Sequence, residues 1–438
     1  MIQLVMASTL FSAMTAAAAL DEGLLGAPDV ERVLVVSNNA AIPEVVQSLS
    51  AIPGAAAVLA RFDRIVDLNE TLVHAHPSSW RPLNDDLEMH QRHFRAVWGL
   101  GDSTIQLVAE SLHVPPAASL ARIFGDSELV VLSEGLMSFG PTRTRQSPAV
   151  GRRISELVYL DLIPGLRPLL FEEVDVPTTV VALPAFRRVV DDMLEECGPL
   201  IDAVIAPSPK PTGLVLGQYL ATLGLWTAEE EELAHVEMLR TAYDRGALRI
   251  VFKPHPAASP ALLTSYREAV EGWGAEFIAW EDGMPAEVVL ARVPAVILVA
   301  SFSTALVTGR ALFDVPIESW GTQALLGSLT PYQNSNRIPV TIIDAVTQRG
   351  DRYQDVAALQ RLVVAVAYAM QANNLDHRRD EAIATLEEMS AAERMRYFYR
   401  RRLTALNLPG RFLPSRAARE ARRLSRSLPR KWRRLLGG

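Results

Sequence analysis

The sequence predicts an α/β protein made of two doubly wound parallel sheets. Three observations carry that prediction. Short β-branched and apolar runs alternate with helical patterns along most of the chain, which is how strand–helix–strand units read. The runs are apolar almost throughout rather than at every second residue, as strands buried on both faces are. Finally, the segment "IAPSPKPTG" at 205–213 places three prolines and a glycine between two such series, and 438 residues exceed what one core usually accommodates.

Taken in order, the candidate strands of the first half are Ile2 to Ala7, Arg32 to Ser37, Arg64 to Leu68, Leu129 to Ser133 and Thr179 to Leu183. Those of the second half are Leu214 to Gly217, Arg249 to Lys253, Glu276 to Trp280 and Ala295 to Ala300. Helical patterns span Ile42 to Leu49, Ala228 to Asp244 and Pro260 to Gly272. The division expected is a domain at 1–205, a second at 206–375, helices at 376–409 that pack back across both, and a basic tail at 410–438. The opening "MIQLVMASTLFSAMTAAAALDEG" has the apolar stretch of a signal peptide but no basic start. A buried strand followed by a helix from about Phe11 to Leu20, capped by Ser8 or Thr9, explains it better.

Composition narrows the class. Hydrophobic residues at 49% and charged residues at 21% are ordinary for a globular chain, and a formal net charge of -7 argues against a general nucleic-acid binder. That charge is uneven. Between Arg411 and Arg434 ten Lys/Arg face the single acid Glu420, so the tail is +9 and the rest of the chain -16. Its arginines alternate with Leu424, Leu428 and Trp432, a pattern suited to an anionic membrane surface. A lone cysteine, Cys197, excludes an internal disulfide framework and a thiolate metal cluster and fits a reducing compartment.

Ligands of open α/β sheets bind beyond the carboxyl ends of the strands, so side chains just after strands are the candidates for chemistry. Four places qualify. Glu134 and Gly135 follow "ELVVLS", Gly217 and Gln218 follow "GLVL", Lys253, Pro254, His255 and Pro256 follow "RIVF", and Ser301, Phe302, Ser303 and Thr304 follow "PAVILVA". Ser303 and Thr304 at a strand-to-helix turn suit a phosphate, although N-capping alone would explain them. An imidazole braced by two prolines, two residues after a lysine, suits a departing phosphate without metal. Glu287, in "MPAEVVL", adds a carboxylate for ribose hydroxyls or simply a first-turn helix acid. Glu134 suits proton abstraction from an attacking hydroxyl. His74, His76, His90 and His93 lie within twenty positions, but no cysteine joins them and zinc is the weaker reading. Trp80, Trp98 and Tyr332 are single aromatics, better explained by core packing than by stacking on sugars.

Together, Ser133-Glu134-Gly135, His255-Pro256 and Ser303-Thr304, in this order, resemble the motifs of the bacterial α-2,8-polysialyltransferases and their sialyltransferase relatives. "SNN" at Ser37, "YLDLIPGL" at Tyr159, "LVLGQ" at Leu214 and "PAE" at Pro285 extend the resemblance to about residue 310. It implies a GT-B fold, two Rossmann-like domains facing a cleft, and inverting transfer of sialic acid from CMP-sialic acid to a glycan acceptor in capsule or surface polysaccharide synthesis. Carried over by position, it makes Glu134 the general base and His255 the general acid, with Pro256 beside it. Lys253 and Glu287 would hold the cytidine portion and Ser303 and Thr304 the phosphate, Gly217, Gln218 and Ser301 would belong to the same donor site, and no metal or other cofactor would be required. The first acid of the family motif is replaced by Ser133, which leaves open whether one carboxylate suffices. Two other readings share these residues: a CDP-glycerol glycerophosphotransferase of teichoic-acid type and a non-catalytic GT-B glycan-binding protein. The expected location is the cytoplasm, with the tail on the inner face of the cytoplasmic membrane.

Overall fold

The computed structural model describes residues 1–412 apart from 41, 42, 44, 45, 145, 219, 255–259 and 348–350. Its first sheet has seven parallel strands in the order β3-β2-β1-β4-β5-β6-β7. These are β1 (Ile2–Ala7), β2 (Glu31–Val36), β3 (Arg64–Asp67), β4 (Ile105–Ala109), β5 (Glu128–Ser133), β6 (Ile154–Leu160) and β7 (Thr178–Val181). The second has five parallel strands in the order β10-β9-β8-β11-β12, namely β8 (Thr212–Leu216), β9 (Arg249–Lys253), β10 (Glu276–Ala279), β11 (Ala295–Ala300) and β12 (Ile317–Ser319).

The strand order reverses between β1 and β4 in one sheet and between β8 and β11 in the other, the points at which doubly wound sheets open a crevice. All six residues of β1 are buried, as a strand covered on both faces requires. This is the GT-B architecture: two Rossmann-like sheets, each with its strand ends at a common cleft. Three strands, β4, β6 and β12, complete the sheets where the sequence reading placed none.

Thr9 caps the helix Leu10–Asp21 through a capping box with Ser12, so the N-terminal segment is strand and helix as expected. Residues 42, 44 and 45 of the expected helix Ile42 to Leu49 lie outside the described residues; after it come the turn Leu49–Ala51 and the helix Ala55–Leu59, the latter preceded by Gly54 with φ 79°. A 22-residue helix, Leu183–Val204, joins the halves. Its apolar stripe of Phe186, Val189, Val190, Met193, Cys197 and Ile201 is buried against the helices Leu10–Asp21 and Ala286–Arg292, one from each half. Cys197 is free and buried there, Sγ 3.8 Å from Met284 Sδ, and burial pushes its thiol up to about 11.

Beyond β12 the chain returns to the first half. Gln360 Oε1 accepts from the Arg167 backbone N–H at 2.7 Å, Gln371 Nε2 donates to the Arg143 carbonyl at 2.9 Å, and Asn374 Nδ2 donates to the Thr142 carbonyl at 2.8 Å. The expected return begins earlier than residue 376, in the helix Val356–Met370. The tail lies outside the described residues from 413 onward.

Candidate active site

Two cavities open along the cleft. One, about 440 Å³, is lined by Gly217 and Gln218 after β8, Lys253 after β9, Glu287 in the helix Ala286–Arg292, and Ser303 and Thr304 after β11. The other, about 450 Å³, is lined by Glu110 after β4, Ser133 and Glu134 at the end of β5, and by His113, Arg143 and Phe302. Glu134, Gly135 and Thr304 line both. The halves meet at that seam: a methyl group built on Gly135 would stand 3.9 Å from Thr304 Oγ1.

In the first of these cavities, Lys253 comes from the last residue of β9, and its Nζ donates to the Asp282 carbonyl at 2.8 Å. Burial lowers its pKa to about 8, against the raising influence of Asp282 and Glu287. Ser303 caps the helix Thr304–Phe313, its Oγ accepting from the Ala305 N–H at 3.2 Å, so the positive end of that helix and the two hydroxyls line the cavity. Glu287 is buried, and burial raises its carboxyl although Thr308 Oγ1 donates to Oε1 at 2.5 Å and Lys253 lies nearby. One of its two oxygens is thereby already taken.

Gly217 and Gln218 are held by groups that sequence reasoning missed. The Gly217 N–H donates to the Lys253 carbonyl at 2.8 Å, and the Gln218 N–H donates to His235 Nε2 at 2.9 Å. His235 Nδ1 lies 2.9 Å from the Tyr266 hydroxyl, and burial lowers the imidazole to about 4. His235 is thus neutral, with Nε2 an acceptor, and it fixes the turn that lines the cavity.

Glu134 keeps part of its surface open to the cleft, but its carboxyl group is enclosed, and Oε2 is buried with no hydrogen-bond partner. Burial raises its pKa well above the usual carboxylate range; the charge of Glu110 and a hydrogen bond to Glu110 add to the rise, and Ser12 opposes it. A carboxyl of raised proton affinity at the meeting point of two cavities is suited to accept a proton from a hydroxyl.

The cavities thus bring together Glu134, Gly217, Gln218, Lys253, Glu287, Ser303 and Thr304. Ser301 departs from the expectation. It is buried, and its hydroxyl points to Met238 Sδ at 3.9 Å, behind β11 rather than into either cavity, because alternate strand residues face opposite sides. His255 and Pro256 lie outside the described residues.

The histidines of the first half have local roles. His76 caps the turn Pro77–Ser79 and its Nε2 lies 2.7 Å from the Ala40 carbonyl, while the rings of His90 and His93 pack on Phe94. Among the described residues, no three of His, Cys, Asp and Glu converge as a metal site would need. Trp80, Trp98 and Tyr332 are core residues. The Glu281 to Gly283 segment is a loop, and it supplies the carbonyl that holds Lys253.

The α-2,8-polysialyltransferase (POLYST) family model matches residues 3–322, which takes in both sheets and both cavities except the returning helices. The chain belongs to the α-2,8-polysialyltransferase family. It is therefore a glycosyltransferase, and the matched segment contains every candidate residue from Glu134 to Thr304. No curated protein matches the chain. Solved structures similar to it include E. coli ADP-heptose LPS heptosyltransferase II, at 10% identity and TM-score 0.38 over 73% of this chain and 84% of that one. They also include a UGT transferase from Siraitia grosvenorii in complex with UDP, at 12% identity and TM-score 0.42 over 87% and 100%. A third is UDP-GlcNAc 2-epimerase from Neisseria meningitidis bound to UDP-GlcNAc, at 11% identity and TM-score 0.44 over 86% and 100%. The family assignment rests on the family match, not on these.

Proposed function

We propose that this polysialyltransferase-family protein is an inverting enzyme that transfers sialic acid from CMP-sialic acid to a hydroxyl of a glycan acceptor. The observation that carries the reading is the seam at Glu134, Gly135 and Thr304, where a cavity with phosphate-binding features meets a second cavity at one enclosed carboxyl group. The nucleotide occupies the Lys253 side. There the ammonium and the first turn of the helix Thr304–Phe313 meet the negative charge of the phosphate.

The acceptor occupies the other side, whose lining carries the exposed cation Arg143 and so favours an acidic sugar. Its hydroxyl oxygen bonds to the anomeric carbon as the bond from that carbon to the phosphate oxygen breaks, and Glu134 takes the hydroxyl proton. Negative charge moves to the departing CMP, where Lys253 and the helix terminus receive it and His255, on the sequence assignment, donates a proton. Because these groups supply the positive field, the reaction is expected to be metal-independent, and EDTA should leave it unchanged. The family's chemistry supports a role in capsule or surface polysaccharide synthesis, and the basic tail supports attachment to an anionic membrane.

The deciding experiment is mass spectrometry of products after incubation with CMP-sialic acid and a sialylated acceptor, with CDP-glycerol as the competing donor. Acceptor lengthened by sialyl units supports the reading. Transfer of glycerol phosphate, or CMP binding without any transfer, would replace it.

A further inference from the structure

Ser133, Glu134 and Gly135 end β5, so that strand end carries a single acid. The fold puts another carboxylate nearby. β4 and β5 are hydrogen-bonded neighbours, with Ala109 opposite Val131, so Glu110 leaves the end of β4 next to the end of β5 that carries Ser133 and Glu134. Both glutamates line the same cavity. We propose that Glu110 is the site's second carboxylate, forming with Glu134 a hydrogen-bonded carboxyl–carboxylate pair.

Glu110 is placed by the first turn of the molecule. Ser8 Oγ donates to Oε1 and Oε2 of Glu110 at 3.2 and 3.3 Å. Burial raises the Glu110 carboxyl, and the Ser8 donor opposes that rise in favour of the ionised form. Glu134 has no comparable donor: its Oε2 is buried and lacks any partner. A proton on the pair therefore sits on Glu134 and is donated to Glu110. Two like charges in one enclosed site do not both persist, so the pair is expected to share one proton and carry one negative charge.

Other charged or titratable groups near the pair are His113, which burial and Arg143 lower, Arg143 itself, and, across the first cavity, Lys253 and Glu287. None of these supplies a donor to Glu134 Oε2. Glu110 acts through Glu134 and is a positioning residue: it raises the proton affinity of the base and keeps its carboxyl turned to the seam. As Glu134 Oε2 takes the acceptor's proton, Glu134 passes the proton it already holds to ionised Glu110, so the charge on the pair goes from -1 to neutral and the negative charge leaves with the nucleotide.

The inference deepens the proposed function and rests on it for its catalytic meaning, but its test needs no turnover. Infrared difference titration of the resting full-length protein reads protonated carboxyl groups directly. Wild type should keep a protonated carboxyl signal at pH 7, where ordinary glutamates are ionised; Glu134→Gln and Glu110→Gln should each lose it, and Ser133→Ala should retain it. Ser8→Ala leaves both carboxyls in place and removes the donor that favours ionised Glu110, so its signal should persist to higher pH than in wild type. That variant carries the test if Glu110→Gln does not fold. No such signal in wild type, its survival in Glu110→Gln, or an unmoved titration in Ser8→Ala would overturn the pair. A protein that shows the pair but transfers no sialic acid would overturn the proposed function instead.

Discussion

Lys253 allows a quantitative test of the nucleotide site, because its pKa is lowered to about 8 and lies within reach of ordinary buffers. Raise the pH from 7 to 10 and the ammonium of the free protein discharges: about nine-tenths is charged at pH 7 and about one-tenth at pH 9. A phosphate that binds the charged form raises the pKa in the complex. By linkage, the affinity for CMP then falls about tenfold per pH unit above 8 until the pKa of the complex is passed. The fall levels off at the value of one charge-assisted hydrogen bond, about 1.5–3 kcal/mol, or about 10- to 150-fold. CMP itself does not change charge over this range, since a phosphate monoester's second pKa is about 6.

Stability moves the other way. The folded pKa lies below that of an unfolded lysine, so the unfolded chain binds the proton more tightly, and this residue's contribution favours folding as pH rises from about 8 to about 10.4. Lost affinity therefore cannot be attributed to Lys253-linked unfolding. Calorimetric titration with CMP at each pH, at constant ionic strength, measures the effect. Lys253→Gln should bind weakly with no pH slope in this range, and Lys253→Arg should also lose the slope because arginine stays charged. The same slope in wild type and Lys253→Gln, or a flat wild type, would refute the reasoning.

Glu134→Gln should abolish transfer, a loss of about 10² or more, while calorimetry finds CMP affinity within about threefold of wild type, because the base meets the acceptor. Ser303→Ala with Thr304→Ala should do the reverse, weakening CMP by about tenfold, and should lower thermal stability by about 1 kcal/mol through the lost cap on the Ala305 N–H. His255→Ala should lower turnover by about 10² in steady-state assays, and near-wild-type turnover would remove it from the acid role. His235 is held at about 4, below an unfolded histidine, so it contributes about 3 kcal/mol that is present above about pH 6.5 and lost as pH falls toward 4. Chemical denaturation of His235→Leu should show a shallower decline over that interval, together with weaker CMP binding from the freed Gln218 turn.

Much of the second sheet was legible because its strands are short apolar runs that end in residues of plain chemical meaning. β9 and β11 have the predicted bounds, and Lys253, Ser303 and Thr304 meet in one cavity as their positions after strands implied. The rule of looking after strands gives the end of the sheet but not the face. Ser301 satisfies the rule, yet its hydroxyl faces Met238, because the side a residue takes depends on the pleat and on where the strand stops. His235 gave no signal of its own. It sits mid-helix in "EEELAHVEML" and matters only because the turn after β8 passes over it with an N–H to satisfy.

Glu110 shows most clearly what one-dimensional reading leaves out. "TIQLVAES" is an apolar run followed by an acid, the same pattern that singled out Glu134, but Gln106 interrupts it and no strand was assigned there. Recognising β4 would have brought Glu110 into the candidate set. It would not have paired the two acids, which are 24 positions apart and meet because β4 and β5 are lateral neighbours in register. Read along the chain, Ser133-Glu134-Gly135 offers one acid and no partner for it. An enclosed carboxyl group needs a partner in space, and a parallel sheet offers every strand end two neighbours from which that partner can come.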